Sequence, residues 1–176
     1  MPLTRRSLLG TALAAPAASR ARAQSVSRIK IGVLGDQSGP YRDFSGPVSV
    51  ACARQAVADF GHTGFDVELL VGDHQNKPDI GAGIARQWFD QDGADLIVDV
   101  PHSGVALAVN GVAREKNKVL MVSGAGTVEL TGSHCTPNTV HTSYDTYMLA
   151  RVDWWGDGGS WRQELVLHHR RLCVRL

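Results

Sequence analysis

Cysteine is scarce in this chain: three in 176 residues, Cys52, Cys135 and Cys173, with no C-x-x-C pair among them. That spacing speaks against a zinc ribbon or a dithiol redox motif and leaves room for one internal disulfide. Aromatic residues make up only 6% of the chain. No acidic residue precedes Asp36, although Arg5, Arg6, Arg20, Arg22, Arg28 and Lys30 all do. No apolar run reaches the roughly 20 residues that a membrane-crossing helix needs. The phosphate-cradling motifs G-x-G-x-x-G and G-x-x-x-x-G-K-[ST] are missing, and so is the G-x-S-x-G nucleophile elbow. His74, His102 and His141 do not stand at metal-ligand spacing from cysteines or carboxylates. These gaps argue against an enzyme and against a bound metal or cofactor. The formal net charge is +1, so no bulk field favours nucleic acid or an anionic membrane.

What is present fits a globular protein of ordinary size. Hydrophobic residues make up 43% and charged residues 20%, enough to bury a core without disulfide staples. The early run of positive charge reads as an export signal. Thr4-Arg5-Arg6-Ser7-Leu8-Leu9-Gly10 leads into an Ala-rich apolar stretch to Ala18, and Ala21-Arg22-Ala23 offers small residues at a cleavage site. Arg5-Arg6 fits the twin-arginine route, and an ordinary secretory signal fits as well. Cleavage after Ala23 starts the mature chain at Gln24, where no lipobox cysteine stands. Residues 1–23 are therefore expected to be a signal peptide and the mature protein to be periplasmic.

From Arg28 onward strands and helices alternate. Ile29-Lys30-Ile31-Gly32-Val33-Leu34 is a short apolar strand that ends in the turn formers of residues 35–40. Residues 47–60 carry helical spacing through Val50, Ala53, Val57 and Phe60, with Cys52 as a small core residue, and Gly61 ends them. The cycle repeats. Strands are expected at residues 65–71, 95–100, 118–122 and 139–142, and helices at 79–91 and 105–116, with a short one at 128–131. In the second helix Ile80, Ile84, Trp88 and Phe89 form the buried side. This alternation predicts an α/β fold: a three-layer, doubly wound parallel sheet with right-handed crossovers. In such sheets ligands sit outside the carboxyl ends of the strands. Here those ends are residues 35–40, 73–78, 101–104 and 123–127, rich in Gly, Ser, Thr and Asp.

The blocks also resemble a known family. Ile29 to Leu34 followed by Ser38-Gly39-Pro40, Phe65 to Leu70 with Asp73 to Pro78, Gly93 to Ile97, and Ser123 to Thr127 with Glu129-Leu130-Thr131 are similar, in order and spacing, to type I periplasmic binding proteins. The closest group is the leucine/isoleucine/valine-binding class that serves branched-chain amino-acid ABC importers, and the likeness covers about residues 28–150, the first lobe only. The resemblance implies two lobes closing on a ligand and an ABC permease partner in the inner membrane, with no nucleic acid. Carried over by position, it implies that Ser103 and Thr127 offer hydroxyls, that Ala125 offers backbone, and that Phe44 and Tyr144 wall the cleft. Neutral donors of this kind suit a ligand carboxylate. Ser103 and Thr127 also read as helix N-caps, Phe44 as a loop anchor and Tyr144 as core. Gly104 stands where many relatives carry Ser or Ala. Tyr41-Arg42-Asp43 and Tyr144 to Tyr147 look more like a subgroup that takes aromatic acids, amides or other small organic ligands. A ligand-sensing receptor domain shares the same fold and is the alternative function, with an α/β enzyme ranked last.

The pattern stops after Ala150. Residues 151–176 hold three of the four tryptophans and five arginines but no lysine, the bias that reading GC-rich DNA out of frame tends to give. A frameshift near Ala150, with a disordered tail at 151–176, is the expected cause; a Trp-rich tail that touches a membrane or partner is the rival.

Overall fold

The computed structural model describes residues 27–60 and 64–155; the expected signal peptide and residues 156–176 lie outside them. Five strands form one parallel sheet: β1 Ser27–Gly35, β2 Phe65–Asp73, β3 Leu96–Asp99, β4 Val119–Val122 and β5 Thr139–His141, in the order β2-β1-β3-β4-β5. Helices α1 Gly46–Phe60, α2 Pro78–Gln87 and α3 Ser103–Lys116 make the crossovers, and α4 Thr146–Trp155 follows β5. The architecture is the α/β sheet expected from the alternation of strand and helix signals. Because β2 lies to one side of β1 and β3 to the other, right-handed crossovers put α1 on one face of the sheet and α2 and α3 on the opposite face.

Most of the core lies on the α2–α3 face. Leu34, Ile97, Leu120 and Val122 from the strands pack with Ala85, Trp88, Val105, Val109 and Val112 from the helices. Trp88 and Phe89 are buried side by side, and helix α2 widens there into one π-helical turn, Trp88–Asp92, which ends at Gly93 with φ 73°. The indole of Trp88 lies flat on β1 and β2 because neither strand has a side chain beneath it. A Cβ on Gly72 would come within 2.8 Å of the ring, and one on Gly32 would overlap it.

The other face is thinly covered. The register aligns Val71, Val33, Val98, Met121 and Val140 in one row across all five strands. Val33 is buried, but Met121 is 37% and Val140 40% exposed. Helix α1 buries only Gly46 and Val50. That corrects the expectation that Cys52 is a small core residue. Cys52 is an exposed free thiol and does not pair with Cys135. Phe60 is 70% exposed, because among the described residues the far end of α1 has nothing packed over it. Helix α4 runs across position 150, the expected boundary of the lobe.

The Trp88 contact yields a test. Gly32→Ala places a methyl inside the indole and is expected to destabilise the chain by about 1–3 kcal/mol, a drop of several degrees in Tm. An unchanged melting curve would mean that the indole does not rest on β1.

Candidate functional site

The loops after β1 and β3 leave the sheet toward opposite faces, so a crevice opens between the carboxyl ends of these adjacent strands. This is the switch point at which doubly wound sheets hold ligands. Three aspartates shape it. Asp36, fully buried, accepts hydrogen bonds from the backbone N–H of Gly39 (2.8 Å) and Tyr41 (2.9 Å) and so folds the first loop back on itself. Asp73, the last residue of β2, accepts from the Ser38 hydroxyl (2.6 Å) and from the N–H of Gln37 (3.0 Å) and Gln75 (2.9 Å). Asp99, the last residue of β3, accepts from the hydroxyls of Ser45 (2.6 Å) and Ser123 (3.3 Å). Three rim loops are thereby fastened to strand ends by neutral donors.

His74 follows Asp73 and is fully buried. Its Nδ1 accepts the N–H of Asn76 at 3.0 Å, which places the ring proton on Nε2. Burial pushes its pKa below the ordinary value. The carboxylates of Asp36, Asp73 and Asp99 pull the other way, and His102 adds to the lowering. For Asp73, burial works against ionisation, but the Ser38 hydroxyl, the Gln75 and Gln37 N–H groups and His74 outweigh it and hold its pKa below the usual value.

The five residues expected at the site fall on this rim. Ser103 opens α3 and is half-buried. It is not the cap of that helix: His102 is, its Nδ1 accepting the N–H of Val105 at 3.2 Å, while its ring lies 6.0 Å from that of Tyr41. Thr127 does cap the short 3-10 helix Val128–Leu130, through the N–H of Glu129 at 3.3 Å. Ala125 is fully buried, and its carbonyl is engaged by Nε2 of His141 at 2.6 Å. Phe44 is 57% exposed. Its ring edge comes within 3.4 Å of the point where a Cβ on Gly124 would stand, and Pro101 within 2.9 Å, so the loops after β1, β3 and β4 meet there. Tyr144 packs over Gly126, 3.0 Å from the equivalent point, and stands at the end of the rim beyond β5.

Asp99, Ser45, Ser123 and His74 were not singled out from the sequence. Two signals pointed to them: an aspartate closing an otherwise apolar strand directly before Val100-Pro101, and a histidine directly after the last residue of β2. Neither signal names the serines, which are brought in from distant loops.

A family model described as periplasmic binding protein matches residues 28–158. Among solved structures, the chain is similar to a periplasmic binding protein from Burkholderia mallei, with 47% identity and a TM-score of 0.68 over 72% of this chain and 34% of that one. It is similar to a branched-chain amino acid ABC transporter periplasmic ligand-binding protein from Burkholderia xenovorans, with 35% identity and a TM-score of 0.64 over 72% of this chain and 36% of that one. It is also similar to an ABC transporter solute-binding protein from R. palustris in complex with 4-hydroxybenzoate, with 27% identity and a TM-score of 0.60 over 68% of this chain and 32% of that one. The chain thus spans about a third of the length of these relatives. No curated protein matches it.

The lowered pKa of His74 fixes a pH dependence. The folded chain holds the neutral ring, whereas the unfolded chain protonates it near the ordinary value of 6.5. The associated stability is present above that pH and is lost as pH falls from it toward the lower folded value. Tm is therefore expected to decline from pH 7 to pH 5, and His74→Gln to flatten the decline. An identical decline in the variant would show that His74 is not the group responsible.

Proposed function

The chain belongs to the periplasmic binding protein family, and we propose that it acts as the first ligand-gripping lobe of an ABC importer's substrate-binding component rather than as an enzyme. The observation that carries this reading is the convergence of three rim loops at the β1–β3 crevice, where Phe44, Pro101 and Gly124 come together. The guest is a small polar molecule: an amino acid, an amide or an aromatic acid. Ser103 and Thr127 give it hydroxyls, Ala125 its N–H, and Phe44 and Tyr144 apolar walls. Neutral donors hold a carboxylate without fixing a countercharge of their own. The chain works in the periplasm after removal of residues 1–23, and delivers its guest to a permease in the inner membrane. No helix among the described residues is long and apolar enough to cross a membrane.

A site of this kind ordinarily buries most of its guest. The described residues cover one side of it, and thermal shift at millimolar ligand reads binding to that side. Against a panel of amino acids, amides and hydroxybenzoates, at least one class is expected to raise Tm. Ser103→Ala is expected to weaken binding about 2- to 12-fold, the equivalent of one neutral hydrogen bond of 0.5–1.5 kcal/mol. A cooperative melt that no member of the panel moves would refute the carrier reading.

A further inference from the structure

We propose that His74 and His102 form an acid-sensitive latch on the carboxyl rim, holding the loops after β2 and β3 while both rings are neutral and freeing them, and the guest, when the rings take a proton. The release of a guest rests on the carrier reading above; the latch itself does not. Each ring uses Nδ1 as a hydrogen-bond acceptor for backbone. His74 Nδ1 accepts the N–H of Asn76 at 3.0 Å, and His102 Nδ1 accepts the N–H of Val105 at 3.2 Å. Only the neutral imidazole has a lone pair at that atom, because the imidazolium carries an N–H on both nitrogens. Protonation therefore replaces each bond by two N–H groups that face one another. His141, the last residue of β5, is built the opposite way. Its Nε2 donates to the carbonyl of Ala125, so a second proton on its ring leaves that bond intact.

The turn after β2 is backbone that needs holding. Gln75 and Asn76 stand at φ 49° and 58°, two successive left-handed residues with no glycine, a conformation that persists where its surroundings enforce it. The restraints are the Asp73 carboxylate on the N–H of Gln75, at 2.9 Å, and the His74 ring on the next N–H. After β3, His102 caps α3 and so sets the start of the helix that Ser103 opens. The two loops also touch. The point where a Cβ on Gly104 would stand lies 3.0 Å from Cε1 of His102 and 3.5 Å from Cγ of Pro78, the first residue of α2. At Gly81 the equivalent point lies 2.5 Å from Val105 Cγ1 and 3.5 Å from Cβ of His74. The starts of α2 and α3 thus interlock, and two imidazole lone pairs hold them.

The charges around His74 come from every neighbouring element. Asp36 on the loop after β1, Asp73 on β2 and Asp99 on β3 favour a proton on its ring, His102 before α3 opposes it, and burial outweighs the carboxylates and favours the neutral ring. Arg42, Asp43, Lys77 and Asp79 are exposed, where water and salt screen them. His74 has no accessible surface, so its ring takes a proton only as the turn opens; uptake and opening are one event. His102 is half-buried beside the ring of Tyr41 and meets solvent protons directly. As pH falls below the ordinary value of 6.5, the open form of the turn gains a proton that the closed form does not hold. An opening that binds one proton at that value is up to about 25-fold more populated at pH 5 than at pH 7.

The test is amide hydrogen exchange of the full chain at pH 7 and pH 5, followed by NMR, with the double variant His74→Asn, His102→Asn alongside. Asparagine keeps a side-chain acceptor at both places and does not titrate. The protection factors of the Asn76 and Val105 amides are expected to fall about 10- to 25-fold in wild type and less than about twofold in the variant. Wild-type affinity for phenylalanine, benzamide or 4-hydroxybenzoate, whichever binds at pH 7, is expected to fall in step. Protection that does not change with pH in wild type, or that falls equally in both proteins, would overturn the latch. An affinity that stays flat while the two amides open would overturn the release of the guest. Binding of none of the three compounds, nor of any member of the wider panel, would end the carrier reading, while the amides still decide the latch. If the variant does not fold, the nitrogen NMR spectrum of the wild-type rings takes its place. At pH 7 both histidines should carry the ring proton on Nε2, and a proton on Nδ1 of either would contradict the proposal.

Discussion

The chain leaves β1 and β3 in opposite directions, and everything about the site depends on the gap this creates. A parallel sheet sends every carboxyl end to the same edge, so the loops after β1, β3 and β4 share one rim. The order β2-β1-β3-β4-β5 puts the reversal of winding between β1 and β3. That reversal keeps α1 and α3 from closing over the strand ends and leaves a crevice for a guest. The rim residues are polar because each loop must satisfy its own backbone.

Two kinds of restraint keep the rim in shape. Below it, Trp88 lies across glycine positions of β1 and β2 and welds the α2–α3 face to the sheet. At the rim, Asp36, Asp73 and Asp99 tie loops to strand ends with short hydrogen bonds. The two restraints differ in function. The indole contact is apolar, whereas the carboxylates order the loops through hydrogen bonds from hydroxyls and backbone N–H groups. The opposite face of the sheet is less well restrained, since α1 buries little and Met121 and Val140 remain exposed.

The fold was legible in the sequence because its strands and helices are short, regularly alternating and punctuated by Gly, Pro and Asp. Each predicted strand is present within three residues of its expected bounds. The burial of Trp88 and Phe89 was also readable from helical spacing, although the widened turn that accommodates both was not. Cys52 was misjudged as core because periodicity describes a helix's own faces and not whether anything covers them. The loops that hold Ser103 and Thr127 were legible from the ends of β3 and β4, and the two residues were named from the family resemblance. The Asp99–Ser45–Ser123 junction was not, because it joins residues 54 and 24 positions apart through a positive φ that no local pattern of side chains announces. Helix α4 crosses the expected end of the lobe for a related reason: the Trp- and Arg-rich composition after Ala150 masks a helical stretch.

The most direct measurement is a map of backbone amide chemical shifts of the labelled chain as members of the panel of amino acids, amides and hydroxybenzoates are added. The account predicts that the shifts concentrate in residues 36–45, 73–78, 99–104 and 123–127, at the carboxyl edge of the sheet. Shifts centred on the amino edge, around Asp66, Asp95 and Asn117, or on the bare face at Met121 and Val140, would contradict it.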